Sequence, residues 1–507
     1  MSTPAPTPVA NPTWYADIRK LFTATDIAHM QGQGLDLTSY DAVKNSAGGI
    51  YAQVAAGHMP PPPDNWPQAW VTTFLNWMTN GYPKGTNAPS PQAALALIAA
   101  ASNAKRIRKE ITTLSAQELA DLKKAFSGIM ALGSTDPNSY FVQAGYHWLP
   151  VGNLFCQHHV PAYNPWHRAY LLSFENALRS VPGCENVTLP YWDITTPFPD
   201  VLKSPPFDKY TLPKGVGQGF NAGYVTQRFS YPDIQQKLLQ HDVAGDIANA
   251  LSKTDWEDFH GMFAGADNNA IISAHDNGHI SIGNTMALQE VAAFDPVFWF
   301  FHANWDRLYW QWQKAMGAAT VTTLLSTINK ETDPLSYRIF TNATLEALAP
   351  FTTDALKLTT ISTVDSATSL DVDYQSPPAP MQIRQLAKTL RSVLASQTFS
   401  LAGERVNVRV QGVNRLKIPG SFIVHLLKDG KILASRGFFQ PVEVDKCESC
   451  IKNAMVHFDF TLPLAVVSSG KLGIRVEPVD KSFVGDRFPN KLMGNPTVEV
   501  RLLMTTE

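Results

Sequence analysis

Six of the thirteen histidines in this chain fall into two triplets. The first triplet is His147, His158 and His167, and the second is His275, His279 and His302. Imidazole ligands without carboxylates or thiolates suit copper, zinc, nickel or iron, so the residue types narrow the metal without identifying it. The residues alone predict two adjacent metal sites, each held by three histidines. For any single one of these histidines, the ordinary alternative is a buried core residue whose ring nitrogens are hydrogen-bonded.

The second triplet lies on two predicted helices. His275 and His279 are four residues apart, so on a helix both imidazoles project from the same face. Asp295 followed by Pro296 is typical of a helix N-terminus, and this places His302 about two turns into the next helix. All three side chains can therefore reach one ion.

Two further helices are predicted upstream. A proline-containing loop at Asn164-Pro165 leads into an amphipathic helix with His167 near its start. Ser115 stands three residues before Glu118, a capping box that begins another helix, which runs to about residue 132. With the two helices of the second triplet, these predict a four-helix bundle, and such bundles hold metal sites between facing helices.

The motifs around the histidines resemble those of the type 3 copper proteins, the family of tyrosinases, catechol oxidases and haemocyanins. The resemblance rests on His158-x8-His167-Arg168, a helix ending in Glu175, Pro190-Tyr191-Trp192-Asp193, His275-x3-His279 and Asp295-Pro296-x-Phe298-x3-His302-x3-Asp306. It covers about residues 100–345 firmly and the C-terminal part more loosely. Tyr163 and Asn164 replace the usual phenylalanine and apolar residue before Pro165, and Phe301 replaces the first histidine of a common pair. None of these departures replaces a ligand.

The resemblance implies that the triplets bind two copper ions and that dioxygen is the co-substrate. It implies a tyrosinase, which oxidises small monophenols and o-diphenols to o-quinones. A catechol oxidase, which accepts o-diphenols only, and a haemocyanin-like oxygen carrier are the alternatives. His147 is assigned as a ligand although the segment around it varies within the family.

Three positions near the second triplet bear on the substrate. Asp276 follows His275, where many tyrosinases carry asparagine, and could help to deprotonate a phenol directly or through water. No glutamate stands shortly before His275, where relatives often carry one that holds a water, and this argues against hydroxylation of monophenols. Ile280 is expected in the wall of the pocket.

Cys156 stands two residues before His158. This spacing resembles the fungal tyrosinases, in which the cysteine is joined to the imidazole by a thioether, and the resemblance implies the same bond here. A buried free thiol is the ordinary alternative.

Carboxylates outside the triplets could orient the imidazoles from behind. Asp193, Asp306 and Glu175 are the candidates. Helix caps or salt bridges to Arg168 and Arg307 would explain the same residues equally well.

The sequence pattern divides the chain into four parts. Residues 1–85 are predicted to be a mobile arm and a helical extension, and residues 86–349 the dicopper helical domain. Residues 350–383 are rich in Thr, Ser, Asp and Pro and are predicted to be a linker. Over residues 384–507, alternation as in Val406–Val410 and the turn signal Lys428-Asp429-Gly430 predict an antiparallel β-sandwich. The predicted fold class is mainly α, a four-helix bundle followed by this sandwich.

Two features of the sandwich resemble the C-terminal domain of fungal tyrosinases. Cys447 and Cys450 form a CxxC motif, which in those relatives is suspected of taking part in copper delivery. An aromatic side chain nine residues earlier plugs the active site there, and Phe438 holds that position here. We therefore expect Phe438 in the substrate pocket and a sandwich that keeps the enzyme latent. The alternative is that Phe438 is an ordinary core residue.

Composition narrows the remaining classes of function. A formal net charge of −2 gives no reason to expect nucleic acid or an anionic membrane as partner. No apolar run reaches the length of a membrane span, and residues 1–6 lack the features of a secretion signal, so a cytoplasmic location is expected. Four cysteines in 507 residues agree with a reducing compartment. A dizinc hydrolase would normally have a bridging carboxylate among its metal ligands, and the two triplets contain none. Edge strands of the sandwich and the N-terminal extension could make contacts with a second copy, so they could support a homo-oligomer.

Overall fold

The computed structural model describes residues 7–14, 17–33, 35–60, 65–84, 105–150, 155, 157–217, 219–261, 270–342, 348–351, 356, 358–375, 405–481 and 488–502. This described part is rich in helix and ends in antiparallel sheets, which confirms the predicted fold class. None of the helices in these ranges is long and apolar enough to cross a membrane.

The described part of the N-terminal extension contains four α-helices, α1 (Ala24–Gly32), α2 (Tyr40–Asn45), α3 (Ala47–Ala55) and α4 (Gln68–Thr79). Aromatic rings from several segments pack together here, with Trp14 and Trp77 fully buried. The hydroxyl of Tyr146 donates a hydrogen bond to the Thr79 carbonyl at 2.9 Å, which joins the extension to the helical domain. The extension is therefore packed onto the domain that carries the histidines.

The helical domain is built from eleven described helices. They are α5 (Ala116–Ala131), α6 (Tyr140–Gly145), α7 (Tyr163–Arg179), α8 (Tyr231–Gln240), α9 (Val243–Leu251), α10 (Trp256–His260), α11 (Ile271–Ile282), α12 (Val297–Ala315), α13 (Val321–Leu325), α14 (Pro334–Thr341) and α15 (Ser366–Ser369). The four longest, α5, α7, α11 and α12, are the four that the sequence pattern predicts. The predicted capping box begins α5 as expected. The Ser115 side chain accepts a hydrogen bond from the Glu118 N–H, and the Glu118 side chain accepts one from the Ser115 N–H.

A buried network of charged side chains holds α7 against α12. Asp306 accepts a hydrogen bond from Arg168 Nε at 2.5 Å and another from the Tyr374 hydroxyl at 2.6 Å. Arg108 lies between this carboxylate and Glu175, at 3.3 and 3.0 Å respectively. These charges are paired and almost inaccessible to solvent, so removal of one partner would leave another charge buried without compensation.

The described residues between 350 and 375 do not form the predicted linker. Phe351, Val364 and Tyr374 are buried in the core of the helical domain. Strand β2 (Val372–Tyr374) pairs in parallel with β1 (Arg106–Arg108). The composition that suggested a linker reflects short turns, and the apolar residues between them are buried. The predicted start of the linker at residue 350 is therefore corrected, and residues 376–383 lie outside the described ranges.

The C-terminal domain is the predicted β-sandwich. Its strands are β3 (Arg405–Asn414), β4 (Phe422–Lys428), β5 (Lys431–Phe438), β6 (Met455–Pro463), β7 (Leu472–Pro478) and β8 (Thr497–Leu502), with short helices α16 (Glu448–Lys452) and α17 (Leu464–Val467) between them. One antiparallel sheet has the order β6-β3-β8 and the other β5-β4-β7. Alternate side chains such as Val406, Val408 and Val424 fill the core between the sheets.

Candidate metal centre

The six histidines of the two triplets converge inside the helical bundle, and all are at least 95% buried. His167 lies on α7, His275 and His279 on α11, and His302 on α12, whereas His147 follows α6 and His158 precedes α7. Within each triplet, one ligand nitrogen from each histidine lies within 4.8 Å of the other two. The triplets are neighbours, because the rings of His167 and His302 are stacked with centroids 4.6 Å apart. The predicted ligand sets are therefore brought together as two adjacent sites.

Backbone carbonyls and one carboxylate fix the orientation of four of these rings. The Nδ1 atoms lie 3.1 Å from the Gln289 carbonyl for His147, 2.9 Å from the Tyr163 carbonyl for His167, 2.9 Å from Asp276 Oδ1 for His275, and 2.7 Å from the Met286 carbonyl for His279. These acceptors place the proton on Nδ1, so each Nε2 carries a lone pair, and Nε2 of His279 lies 3.3 Å from Nε2 of His302.

The Nε2 atoms of His147, His167 and His275 are buried without a hydrogen-bond partner. A buried polar atom without a partner is costly, and a cation bound in each triplet would satisfy these lone pairs. Burial lowers the pKa of His147 to about 3 and lowers the pKa of the other five histidines as well. The imidazoles are therefore neutral at neutral pH, as metal ligands must be, and the donor set fits two copper ions.

Asp276 links His275 of the second triplet to His159, a histidine outside both triplets. Its Oδ1 atom accepts from His275 Nδ1, and its Oδ2 atom lies 2.8 Å from Nε2 of His159. The backbone N–H of Phe439 also donates to Oδ2, at 3.1 Å. Burial alone would raise the pKa of this carboxyl, but the two histidines lower it to about 2. Asp276 is thus an ionised acceptor whose two oxygens are both occupied.

The aromatic ring that lies over the histidines is that of Phe439, not the predicted Phe438. Phe439 stacks on His279 with ring centroids 3.9 Å apart and planes 12° from parallel. Phe438 points into the sandwich core, where it stacks on Phe422. Successive side chains at the end of a strand face opposite sides, so a shift of one residue exchanges the pocket for the core. The prediction of a C-terminal aromatic residue at the site is right, but the residue assigned to it is wrong.

Ile280 lies where the sandwich meets α11. A Cβ atom on Gly437 would come within 2.7 Å of Ile280 Cγ1, so strand β5 approaches this helix more closely than a side chain would permit. The Gly437 N–H donates to Asn277 Oδ1 at 2.6 Å. Arg436 completes the contact by pairing with Asp246 on α9 at 3.2 Å. Ile280 is therefore covered by the C-terminal domain.

The cysteines that the sequence singles out have different outcomes. Cys156, predicted to form a thioether with His158, lies outside the described residues. Cys447 and Cys450 are joined by a disulfide bond and are buried, so in this form they offer no thiolate to a copper ion. Their predicted role in copper delivery stays a prediction for the reduced form.

The carboxylates expected to orient the imidazoles contact arginines instead. Asp193 pairs with Arg307 at 3.0 Å, and Glu175 and Asp306 belong to the buried network described above. For Asp193 and Asp306 this is the alternative of salt bridges to Arg307 and Arg168, whereas Glu175 pairs with Arg108 and Arg106. The carboxylate that does orient a ligand is Asp276.

His159 and Phe439 are the functional residues that sequence reasoning missed. His159 follows a ligand directly, and the doublet His158-His159 was the only available signal. Phe439 stands next to the residue that the family spacing indicated. Neither contact is readable from the chain, because each joins segments more than 100 residues apart.

Comparison with known proteins agrees with this geometry. The family model for the common central domain of tyrosinase matches residues 137–221 and 203–315. Hemocyanin 2 of Megathura crenulata is 30% identical over 232 residues, which are 41% of this chain and 6% of that protein. Tyrosinase HcTyr2 of a Hahella species is 23% identical over 531 residues, covering 74% of this chain and 92% of the relative. The chain thus spans only a small part of the hemocyanin and almost all of the tyrosinase.

Solved structures share the fold. An oxygen-bound mutant of Aspergillus oryzae pro-tyrosinase superposes with a TM-score of 0.60 at 17% identity, covering 78% of this chain and 91% of that one. Two all-histidine triplets in a four-helix bundle, the matching central domain and the shared architecture lead to one conclusion. The chain contains the common central domain of tyrosinase and shares the fold of solved tyrosinases.

Proposed function

We propose that this protein is a tyrosinase, which oxidises monophenols and o-diphenols to o-quinones with dioxygen, and that its C-terminal domain keeps it latent. The observation that carries the proposal is the ring of Phe439 stacked on His279 beside the two triplets. A planar aromatic ring already fits this position, so the space has the shape of a phenol site. The two copper ions, when bound, supply the redox chemistry with dioxygen as the oxidant.

The protein residues bind and orient. A phenol that replaces Phe439 would stack on the imidazole of His279 in the same way. Phe298, at 4.0 Å between ring centroids from His302, and the rings around it make the site apolar and dry. Exclusion of water strengthens every electrostatic interaction within the site.

The contacts of Asp276 support a role for this residue in substrate binding rather than as a strong proton acceptor. Both oxygens of this carboxylate already accept hydrogen bonds, from His275, His159 and the Phe439 N–H, which leaves it little capacity to take up a proton. Removal of Phe439 from the pocket also removes the backbone N–H that donates to Oδ2. That oxygen could then accept a hydrogen bond from the incoming phenol hydroxyl, directly or through water. Asp276 would thereby position the phenol for loss of its proton.

Latency follows from the contacts of the C-terminal domain. Gly437 and Phe439 donate backbone hydrogen bonds to Asn277 and Asp276, and the Val442 N–H donates to Glu290 at 2.6 Å. With the Phe439 ring in place, a phenol and this domain cannot occupy the site together. Displacement of the domain is therefore required before substrate can bind.

The test is oxygen uptake by the copper-loaded full chain and by its Phe439→Ala variant, with tyramine in one cell and dopamine in another. Uptake with both substrates, stronger in the variant, is the expected result. Uptake with dopamine alone would instead support a catechol oxidase. Reversible oxygen binding without consumption of either compound would support an oxygen carrier, as the hemocyanin matches allow. An unchanged rate in the variant would contradict latency.

A further inference from the structure

We propose that His159 is a positioning residue for the second copper site. It directly follows a ligand of the first triplet, yet its side chain serves the second. His159 Nε2 lies 2.8 Å from one oxygen of Asp276, and the other oxygen of that carboxylate lies 2.9 Å from Nδ1 of His275. The three side chains form a hydrogen-bonded relay that ends on a copper ligand.

The direction of both hydrogen bonds follows from the carboxylate. An ionised carboxylate only accepts, so His159 must donate from Nε2 and His275 must donate from Nδ1. The proton on Nδ1 leaves Nε2 of His275 free, and that atom is buried without a partner. His159 is the side chain that holds Oδ2, beside the backbone N–H of Phe439, and thereby helps to fix the plane of the carboxylate, which keeps Oδ1 in line with His275. An imidazole held this way binds a metal ion more tightly than one that is free to rotate.

The backbone at His159 is built for this contact. His159 has φ of +55°, in the left-handed region that residues other than glycine seldom adopt. This bend separates two adjacent side chains, so that His158 faces the first triplet and His159 reaches across to Asp276. Unfavourable backbone conformations of this kind persist where the surrounding contacts require them. His159 is 5% exposed, so the required contact is an internal one.

A docking role is the competing explanation, because His159 also touches the sandwich. Its ring stacks on Phe438 with centroids 4.6 Å apart, and its Nδ1 lies 3.3 Å from Arg415 Nη1. Arg415 can only donate, so Nδ1 accepts, which is the same tautomer that the contact with Asp276 requires. The two roles use different ring nitrogens. Substitutions can therefore separate them.

The experiment measures copper affinity, so it rests on the dicopper site of the proposed function and not on its substrate. The full chain is loaded with Cu(I) and titrated with a competing Cu(I) chelator. The variants are His159→Phe, which keeps a ring without a donor, His159→Gln, whose amide N–H can reach Asp276, and Arg415→Gln. We expect His159→Phe to lower the affinity for one of the two copper ions by about tenfold or more and to leave the affinity for the other unchanged. His159→Gln should restore most of the loss, and Arg415→Gln should leave both affinities as in the wild type.

Three results would overturn the inference. The first is that His159→Phe binds both copper ions as tightly as the wild type does. The second is an equal loss in Arg415→Gln, which would assign the effect to docking of the sandwich. The third is that the wild-type chain binds fewer than two copper ions, which would contradict the proposed function as well. Should His159→Phe misfold, His159→Asn repeats the test, because asparagine tolerates the left-handed backbone and is too short to reach Asp276.

Discussion

The ring of Phe439 lies parallel to the imidazole of His279, with 3.9 Å between the two centroids. Phe439 belongs to the C-terminal domain and His279 to the helical bundle, so this one contact joins the sandwich to the predicted copper ligands. It decides which residue should control access to the site.

Replacement of Phe439 by alanine should activate the full chain. A ring that competes for the pocket reduces the fraction of molecules able to bind substrate, so its loss should raise kcat/KM for an o-diphenol by about tenfold or more. Oxygen uptake at low substrate concentration measures this. Phe460→Leu, which also removes a buried ring from the sandwich, is the matched control. Equal activation by the control would mean that weakening the sandwich, not emptying the pocket, is responsible.

Substitution of Gly437 by alanine should loosen the C-terminal domain. The added Cβ would clash with Ile280 at 2.7 Å and press on Asn277 at 3.3 Å. Overpacking of this kind costs about 1–3 kcal/mol, which shifts a closed-to-open equilibrium by about fivefold or more. The rise should appear in oxygen uptake. Gly473→Ala, whose Cβ would meet its nearest neighbour at an ordinary 3.9 Å, should leave the rate unchanged.

Protonation of His241 should destabilise the fold in acid. Burial first, then Lys237 and Arg436, lower the pKa of this imidazole to about 3, below the value of about 6.5 in an unfolded chain. The unfolded chain therefore binds this proton first. The stabilisation from the group is complete above about pH 6.5 and is lost as the pH falls towards 3, at up to about 1.4 kcal/mol per pH unit.

Urea unfolding of wild type and His241→Gln at pH 8 and pH 5 measures this effect. Because glutamine does not titrate, the stability advantage of the wild type should shrink at pH 5. A difference between wild type and His241→Gln that is the same at both pH values would contradict the assignment.

Neutralisation of Asp306 should destabilise the helical domain. Asp306→Asn leaves Arg168 and Arg108 facing an uncharged amide in a buried site, and the loss of one partner from a buried ion pair costs about 3–5 kcal/mol. A lower thermal midpoint of the apo-protein is the measurement. Asp373→Asn, whose side chain is 26% exposed and pairs with two lysines, should cost much less. Equal midpoints for the two variants would mean that the buried network does not stabilise α7 against α12.

The sequence by itself determined the four longest helices, the β-sandwich and the six candidate ligands. Helical spacing put His275 and His279 on one face, the capping box began α5, and alternation predicted the strands of the sandwich. These are local properties, because side-chain periodicity and helix capping depend on residues a few positions apart. The motifs around the six histidines were sufficient to indicate the family.

Only the tertiary structure decided which side chains meet across domains. The choice between Phe438 and Phe439 depends on the face that the end of β5 turns towards α11, which a spacing of nine residues to Cys447 does not settle. The pairing of His159 with Asp276 joins residues 117 positions apart. Residues 350–375 looked like a linker because composition records polarity. Burial depends instead on distant segments, since Phe351 packs on Trp166 and Tyr170 of α7 and Tyr374 contacts Arg108 of β1 and Asp306 of α12. Contacts of this kind arise from packing of distant segments, and no local pattern encodes them.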